Sequence, residues 1–203
     1  MSHAENRTIT LALTGASGAD YGLRLLKQLV LADRQVYVLL SAPGLLVVNM
    51  ETSLRLTGKP KELEQTLTAY SAAKPGQITV FGKDQWTAPI ASGTGAADAM
   101  VICPCTMGTL AAIAQGLSNQ LIERAADVML KERRPLILVP RESPFSTIHL
   151  ENMLRLSQAG ALILPPNPGF YHHPRCVEDL LDFVVARILD HLHIPHTLVK
   201  AWG

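Results

Sequence analysis

The sequence has no excess of charge of either sign. Its 18 Lys and Arg residues balance 17 Asp and Glu residues, which gives a formal net charge of +1. Proteins that bind nucleic acid or an anionic membrane through a basic surface carry a marked positive excess, so neither partner is expected here. Long apolar runs are also missing, since the longest, such as 36–40, have the length of a strand and not of a membrane span.

Cysteines are too few for a disulfide framework. There are three, and Cys103 and Cys105 lie one residue apart. The polar segment 1–7 also lacks the apolar region of a signal peptide, and together these features predict a cytoplasmic protein with reduced thiols. Zinc sites use more widely spaced cysteine pairs and four ligands, and no helical histidine pair with a third ligand is evident, so no metal is expected.

The composition favours one well-filled domain. The chain has 203 residues, of which 48% are hydrophobic and 17% are charged. Domains usually have about 100–200 residues, so we expect a single domain over 1–203, with a polar N-terminal tail at 1–7 and a C-terminal tail at 193–203. The low charge agrees with apolar surface buried between subunits, and equally with a well-filled monomer.

Apolar runs alternate with helical patterns along the chain. The predicted strands, mostly unbroken apolar runs typical of parallel strands covered on both faces, are 8–14, 35–41, 77–81, 99–103, 135–140 and 161–164. The predicted helices are 17–33, 43–52, 60–70, 106–115, 119–132, 146–158 and 177–192. This alternation predicts an α/β fold, with one doubly wound, Rossmann-like or flavodoxin-like parallel sheet and helices on both faces. Ligands of such folds bind beyond the carboxyl ends of the strands.

Small residues follow the first predicted strand. Gly15, Ala16 and Ser17 open the next helix, where free backbone N–H groups can bind an anion. Their spacing matches neither the dinucleotide fingerprint nor the nucleotide phosphate loop. The second strand ends in Ser41 and not in the acidic residue that binds a dinucleotide ribose, which favours a mononucleotide such as FMN over NAD. A tight turn without a ligand is the alternative.

Two other strand ends carry polar groups. We expect Pro104 to end the fourth strand, and Thr106 or Thr109 to cap the helix after it, which makes a second phosphate-binding loop. Arg141 and Glu142 follow the fifth strand, where the guanidinium can bind a phosphate and the carboxyl can transfer a proton. A surface ion pair is an equally good interpretation of these two residues.

Other charged and aromatic residues carry little local signal. Glu123, Arg124 and Lys131 lie in a predicted helix and Arg187 in another, where such side chains are normally solvated. The proline-rich loop 165–174 holds a cluster of aromatic residues.

Several of these segments together resemble the UbiX-type flavin prenyltransferases, over nearly the whole chain from 8 to 202. The segments that carry the resemblance are LTGASG at 13–18, CPC at 103–105, NQLIERAADV at 119–128, RRPL at 133–136, VPRE at 139–142, IHLENM at 148–153 and PGFY at 168–171.

The resemblance implies a reaction. A dimethylallyl group passes from dimethylallyl monophosphate to reduced FMN, first through an N5–C1′ bond and then through a C6–C3′ bond that closes a fourth ring. No metal is required, and the prenylated FMN serves a separate UbiD-type decarboxylase, in ubiquinone biosynthesis or in aromatic-acid degradation. Family members form homo-oligomers, commonly dodecamers, with active sites built from more than one subunit.

The resemblance also implies which residues bind FMN. They are Gly15, Ala16, Ser17, Ser41, Thr106, Met107, Gly108, Thr109 and Arg141. Met107 stands where many relatives have a small or hydroxyl-bearing residue, so a backbone contact is expected there.

The remaining implied roles concern the reaction itself. The catalytic residues are Ser17, Glu51, Lys131, Glu142 and Trp202, with Ser17 near the flavin N5 and Glu51 handling the N5 proton. The prenyl phosphate is bound by Tyr171, Arg187, Arg124 and Lys131. Glu142 protonates the departing phosphate, while Trp86 and Trp202 offer aromatic faces to a cationic allyl group.

Two other functions compete with this one. The related flavin-dependent cysteine decarboxylases need an asparagine where this chain has Gly108, which supplies no amide side chain. Some relatives of those enzymes are regulatory flavin-binding subunits. Retention of the whole charged set, including Glu51, Glu142 and Arg187, argues against that role.

Overall fold

The computed structural model describes residues 8–200. The strands within this range are β1 (Thr8–Leu13), β2 (Gln35–Leu40), β3 (Ile78–Phe81), β4 (Ala99–Cys105), β5 (Leu136–Pro140) and β6 (Leu162–Ile163). The α-helices are α1 (Ala19–Leu31), α2 (Ala42–Glu51), α3 (Pro60–Ser71), α4 (Met107–Ala114), α5 (Leu121–Lys131), α6 (Thr147–Gln158) and α7 (Val177–His191). Every predicted strand and helix is therefore present, most with bounds within one or two residues.

The strands form one parallel sheet in the order β3-β2-β1-β4-β5-β6, which confirms the doubly wound fold. The direction of winding reverses between β1 and β4. In such sheets a crevice opens at this reversal, beyond the carboxyl ends of the strands. The loops after β1 and β4 therefore flank the expected ligand site.

Apolar residues fill both faces of the sheet. On one face Leu11 and Val38 pack with α1, α2, α3 and α7, and on the other Met100 and Ile102 pack with α4, α5 and α6. Each fully buried aliphatic side chain contributes about 1.5–3 kcal/mol relative to an exposed one. The two cores hold the strand ends in fixed positions, and so hold the loops that the strands carry.

The prediction that Pro104 ends the fourth strand is wrong. Strand β4 continues to Cys105, and its register with β5 shifts between Ile102 and Cys105. Proline has no N–H to donate to the ladder of hydrogen bonds. It is tolerated at such an irregularity because the regular ladder is interrupted there. The thiols of Cys103 and Cys105 are fully buried, and burial raises the pKa of Cys105 to about 12.

The expectation that Glu123 is solvated is also wrong. Its side chain is buried, and Oε2 accepts a hydrogen bond from the Asn119 backbone N–H at 2.7 Å. The carboxylate therefore satisfies a backbone amide just before α5, a role that a helical pattern of charges does not reveal.

Each helix within residues 8–200 is either too short or too polar to cross a lipid bilayer. The same described range contains no cluster of three or more His, Cys, Asp or Glu side chains arranged to hold a metal ion.

Candidate functional site

Thr14 connects the two loops that flank the crevice. Its backbone N–H and its hydroxyl both donate to the Pro104 carbonyl, at 3.1 and 2.9 Å, and the Thr106 N–H donates to the Thr14 hydroxyl at 2.8 Å. Thr106 in turn caps α4, since its hydroxyl accepts the Thr109 N–H at 3.1 Å. The predicted cap is confirmed, and the loops after β1 and β4 are fixed to one another.

The loop after β1 also packs closely against the start of α2. A Cβ added at Gly15 would lie 2.3 Å from the Pro43 Cβ, a distance that only glycine avoids. Ser41 caps α2, its hydroxyl accepting the Gly44 N–H at 3.0 Å. The predicted flavin contacts Gly15 and Ser41 therefore lie side by side at the carboxyl edge of the sheet.

Backbone amides at this edge fit the phosphate of a mononucleotide. Within residues 8–200, the N–H groups of Gly15, Ala16 and Ser17 donate to no other group of the chain, and neither do those of Met107 and Gly108 at the start of α4. A Cβ at Gly108 would meet no atom within 4 Å, so space is open above this helix end. Two helix starts with free donors and open space suit an anion such as the FMN phosphate.

The Met107 side chain is buried in the core, which leaves its backbone N–H for the FMN contact that the resemblance implies; that contact stays a prediction. Gly108 supplies no side chain at all. A catalytic amide of the cysteine decarboxylase kind is therefore missing from this helix start.

Glu51 joins the end of α2 to the start of α1. Its Oε2 accepts the N–H groups of Gly18 and Ala19 at 2.8 and 2.9 Å, while Arg141 Nε donates to the Ser17 carbonyl at 3.1 Å. Burial acts to raise the pKa of Glu51, but hydrogen bonds from the Ser17 hydroxyl and the two amides, together with the Arg141 charge, lower it overall. The structure thus brings the Ser17 hydroxyl and the Arg141 guanidinium close to the ionised carboxylate of Glu51.

Glu142 lies at the same edge, directly after β5. The Ser143 N–H donates to Glu142 Oε1 at 3.2 Å, and the Arg141 N–H donates to the Cys105 carbonyl at 3.2 Å. The interpretation of Arg141 and Glu142 as a surface ion pair is wrong, because Arg141 contacts Ser17 and Glu142 contacts its own loop.

Tyr171 and Arg187 line a separate cavity of about 700 Å³ beside α7. Tyr171 contacts the edge of the Phe183 ring, with ring centroids 5.9 Å apart. The Arg187 side chain is half exposed and pairs with Asp190 at 2.6 Å. The aromatic loop thus faces the helix that carries Arg187.

The other two predicted phosphate ligands lie elsewhere on the chain. Lys131 is the last residue of α5, where it pairs with Glu132 at 2.5 Å beside Gly93. Because β5 starts five residues later, Lys131 lies near the amino edge of the sheet. Arg124 pairs with Asp127 at 2.7 Å and donates to the Ala91 carbonyl at 3.0 Å. Within residues 8–200 the carboxylates that pair with Arg124 and Lys131 are thus different from the one that pairs with Arg187.

The structure describes one of the two tryptophans that are predicted to face the allyl group. Trp86 is 47% exposed in the loop after β3, and its role stays a prediction. Trp202 lies outside the described residues.

Thr14 and Asp190 were not among the predicted site residues. Thr14 is a buried hydroxyl at the end of an apolar strand, and such a group must find hydrogen-bond partners, which is a usable signal. Asp190 lies three residues after Arg187 in a predicted helix, which is also the spacing of a helical ion pair.

Known proteins resemble this chain over nearly its whole length. The model of the Flavoprotein family matches residues 1–189. The flavin prenyltransferase UbiX of Pseudomonas aeruginosa is 62% identical over 195 residues, covering 96% of this chain and 93% of the relative. The chain belongs to the UbiX family of flavoproteins. The sequence resemblance is therefore confirmed.

Solved UbiX structures share the fold closely. A UbiX protein, AnUbiX (PadA1), in complex with FMN and dimethylallyl pyrophosphate, is 38% identical with a TM-score of 0.87 and 98% coverage of both chains. A dodecameric FMN-dependent UbiX-like decarboxylase from Escherichia coli O157:H7 is 38% identical with a TM-score of 0.86, covering 97% of this chain and 99% of that one. FMN-dependent cysteine decarboxylase TvaF, at 20% identity and a TM-score of 0.56, shares only the fold.

Proposed function

We propose that this member of the UbiX family is a flavin prenyltransferase that transfers a dimethylallyl group to reduced FMN. The observation that carries the proposal is the arrangement of Glu51, Ser17 and Arg141 beside the free amides after β1. It lies in a chain 62% identical to a flavin prenyltransferase, with a fold that matches a UbiX protein holding both FMN and a prenyl donor.

The reaction breaks the C–O bond between the dimethylallyl group and its phosphate, and joins C1′ of that group to N5 of the reduced flavin. A second bond, between C3′ and C6, closes the fourth ring: the C2′=C3′ π bond takes up a proton at C2′, and C6 loses its hydrogen as a proton. The flavin phosphate is bound by the amides of Gly15 to Ser17 and of Met107 and Gly108, with Ser41, Thr106, Thr109 and Arg141 completing the site. Inorganic phosphate leaves, so the step needs no oxidant and no reductant.

The proton transfers are assigned to two carboxyl groups. The lowered pKa of Glu51 keeps its carboxylate ionised and ready to accept the N5 proton, with the Ser17 hydroxyl beside it. Glu142 follows Arg141 at the same edge and donates a proton to the departing phosphate. A monophosphate is a poor leaving group, so its departure needs this proton as well as cations around it.

Those cations are Arg124, Lys131 and Arg187, which bind the prenyl phosphate together with Tyr171. In one chain Arg124 and Lys131 lie on α5, paired with Asp127 and Glu132, whereas Arg187 lies on α7, paired with Asp190, so the proposed binding of one phosphate by all three draws on more than one copy. We therefore assign the enzyme as a homo-oligomer, and the UbiX-like protein from E. coli O157:H7 is a dodecamer. Trp86 and Trp202 provide aromatic faces for the allyl cation, whose attraction to such a face is worth about 0.5–2 kcal/mol.

The donor is dimethylallyl monophosphate, and the reaction uses no metal ion. Residues 1–203 act as one flavoprotein domain. The product, prenylated FMN, is passed to a UbiD-type decarboxylase.

The test is an anaerobic incubation of the protein with reduced FMN and dimethylallyl monophosphate, followed by mass spectrometry of the extracted flavin. A flavin heavier by one dimethylallyl unit is the expected product. Reactions with oxidised FMN, without donor and with a chelator serve as controls, and the chelator should change nothing. A parallel reaction with dimethylallyl diphosphate decides the donor.

Unchanged FMN with both donors would overturn the proposal. Tight flavin binding without any consumption of donor would then favour the regulatory flavin-binding function.

A further inference from the structure

Arg187, the predicted phosphate ligand on α7, pairs with the carboxylate of Asp190. The same carboxylate also contacts a second side chain, that of His196. Asp190 Oδ2 accepts from Arg187 Nη1 at 2.6 Å, and Asp190 Oδ1 lies 3.0 Å from His196 Nε2. Each carboxylate oxygen therefore has one partner. The Asp190 side chain bridges α7 and the segment that follows it.

The His196 ring is fixed at both nitrogens. The Leu198 backbone N–H donates to Nδ1 at 3.4 Å, so Nδ1 must be an acceptor. A neutral imidazole with Nδ1 as acceptor carries its proton on Nε2, which is the nitrogen that faces Asp190. His196 thus donates to Asp190 without needing a positive charge, and its side chain is only 11% exposed, against 45% for Asp190 and 51% for Arg187.

All three side chains line the cavity that also contains Tyr171. In this series of contacts the His196 ring is covered and has partners at both nitrogens, whereas the Arg187 guanidinium contacts Asp190 and is otherwise exposed. An arginine side chain has many rotamers, and part of this conformational entropy is lost whenever the side chain binds a phosphate. Contacts that restrict the guanidinium beforehand lower that loss.

We infer that His196 and Asp190 are positioning residues, which hold the Arg187 guanidinium in the orientation that binds the phosphate of the prenyl donor. The inference rests on the proposed function for the identity of that phosphate. It assigns the histidine to no proton transfer, since both of its nitrogens are engaged, one with Asp190 and the other with the Leu198 N–H.

His196 is the better residue for a test, because replacing it leaves the charges of Asp190 and Arg187 unchanged. His196→Phe keeps a ring of similar size but has no Nε2–H, whereas His196→Gln keeps an N–H group that can reach Asp190. His191→Gln, on the exposed end of α7, is the matched control. Thermal unfolding of each variant monitors folding, and His196→Ala replaces the Phe variant if that one does not fold.

The measurements are steady-state kinetics with dimethylallyl monophosphate, and calorimetric binding of the same compound to the FMN-loaded protein. In the Phe variant we expect KM and Kd for the donor to rise about three- to tenfold, which corresponds to roughly 0.7–1.4 kcal/mol. The kcat and the affinity for FMN should stay within about twofold of the wild type, since losing uniform binding leaves kcat unchanged. The Gln variant should restore most of the donor affinity.

A double-mutant cycle separates positioning from a general structural effect. If His196 acts through Arg187, His196→Phe should have almost no further effect on donor affinity in an Arg187→Ala protein. Equal effects in both backgrounds would overturn the inference. So would an unchanged donor affinity in the Phe variant, or equal losses in the Phe and Gln variants.

The two proposals fail in different ways. If the wild type binds dimethylallyl monophosphate but forms no prenylated flavin, the proposed reaction is wrong, and the binding data still decide the role of His196. If the wild type forms product and the Phe variant is unaffected, only the positioning role is wrong. No binding by the wild type would overturn both.

Discussion

At the scale of single residues, the carboxyl edge of the sheet is organised by side chains that satisfy the backbone. Gly18 precedes α1 and has no side chain to cap it, so Glu51 from the end of α2 accepts its N–H and that of Ala19. An anion at a helix N-terminus is stabilised by the helix dipole and by the unpaired N–H groups. The same contacts that stabilise the loop also keep Glu51 ionised.

Glu51→Gln should therefore reduce stability in a pH-dependent manner. The pKa of Glu51 lies below its ordinary value of 4.5 in the folded chain, so its contribution is present above that value and is lost as the pH falls through the folded pKa. Because the side chain is largely solvated and screened, we expect the variant to melt only about 2 °C lower near pH 7.

Thermal unfolding of the wild type and the Glu51→Gln variant, at about pH 7 and about pH 3.5, measures this contribution. The difference between the two proteins should shrink as the pH falls below 4.5, because the carboxyl group becomes protonated first in the unfolded chain and then, at lower pH, in the folded one. An equal difference at both pH values would contradict the assignment of an ionised Glu51.

Glu142→Gln should bind FMN normally and turn over slowly. The amide keeps the size of the side chain and its contact with the Ser143 N–H, but it cannot donate a proton to the departing phosphate. General acid catalysis of this kind contributes about 10²–10⁴-fold, and kcat should fall within that range. Glu62→Gln on α3 is the control, and wild-type turnover in the Glu142 variant would remove this residue from the mechanism.

At the scale of elements, the helices and strands follow from the sequence because their signals are local. Unbroken apolar runs became the buried strands, and the helical repeat over 177–192 became α7. Pro104 shows where local reasoning fails. A proline normally ends a strand, but here the neighbouring Thr14 uses the Pro104 carbonyl, and the strand irregularity tolerates the missing N–H.

Gly15→Ala should disturb the contact between the loop after β1 and the start of α2. The new Cβ would lie 2.3 Å from the Pro43 Cβ, and the rigid proline ring cannot move away without shifting the helix start. Overpacking of this kind costs about 1–3 kcal/mol, and the displaced amides should also bind FMN more weakly.

Thermal unfolding and a flavin fluorescence titration measure the two effects of Gly15→Ala. Gly58→Ala serves as the control, because a Cβ there would meet nothing within 4 Å. Unchanged FMN affinity in the Gly15 variant would mean that this loop does not bind the flavin phosphate.

At the scale of the whole molecule, helix α6 exposes several large apolar side chains. Ile148, Leu150 and Leu154 on α6 are 67%, 53% and 60% exposed, and Phe145 precedes them. Leu150 and Leu154 lie about one turn apart on the same face of the helix, and neighbouring exposed apolar side chains of this kind mark an interaction site. The proposed ligands of the prenyl phosphate lie on two different helices, α5 and α7, and contact between copies in the proposed homo-oligomer would account for both features.

Leu154→Glu should shift the oligomer toward smaller species. A carboxylate desolvated in an apolar contact without a partner costs several kcal/mol, which is enough to weaken a repeated interface. Light scattering after size-exclusion chromatography gives the mass, and Gln65→Glu on α3 adds the same charge as a control. An unchanged mass for the Leu154 variant would show that this face of α6 lies outside the interface.

The sequence by itself determined the doubly wound sheet, the loops at its carboxyl edge, and the identity of the charged residues. These depend on local periodicity and on motifs that stay together along the chain. Only the tertiary structure decided that Thr14 joins Pro104 and Thr106, about ninety residues away, because such contacts depend on which strands become neighbours.

The tertiary structure likewise decided that Lys131 pairs with Glu132, and it placed Asp190 between Arg187 and His196. A helical pattern gives the spacing of charges, but the partner of each charge depends on how the helix docks and where the chain turns after it. The physical reason is the same in both cases. Hydrogen bonds and ion pairs act over a few ångströms in space, whatever the separation of their residues along the chain.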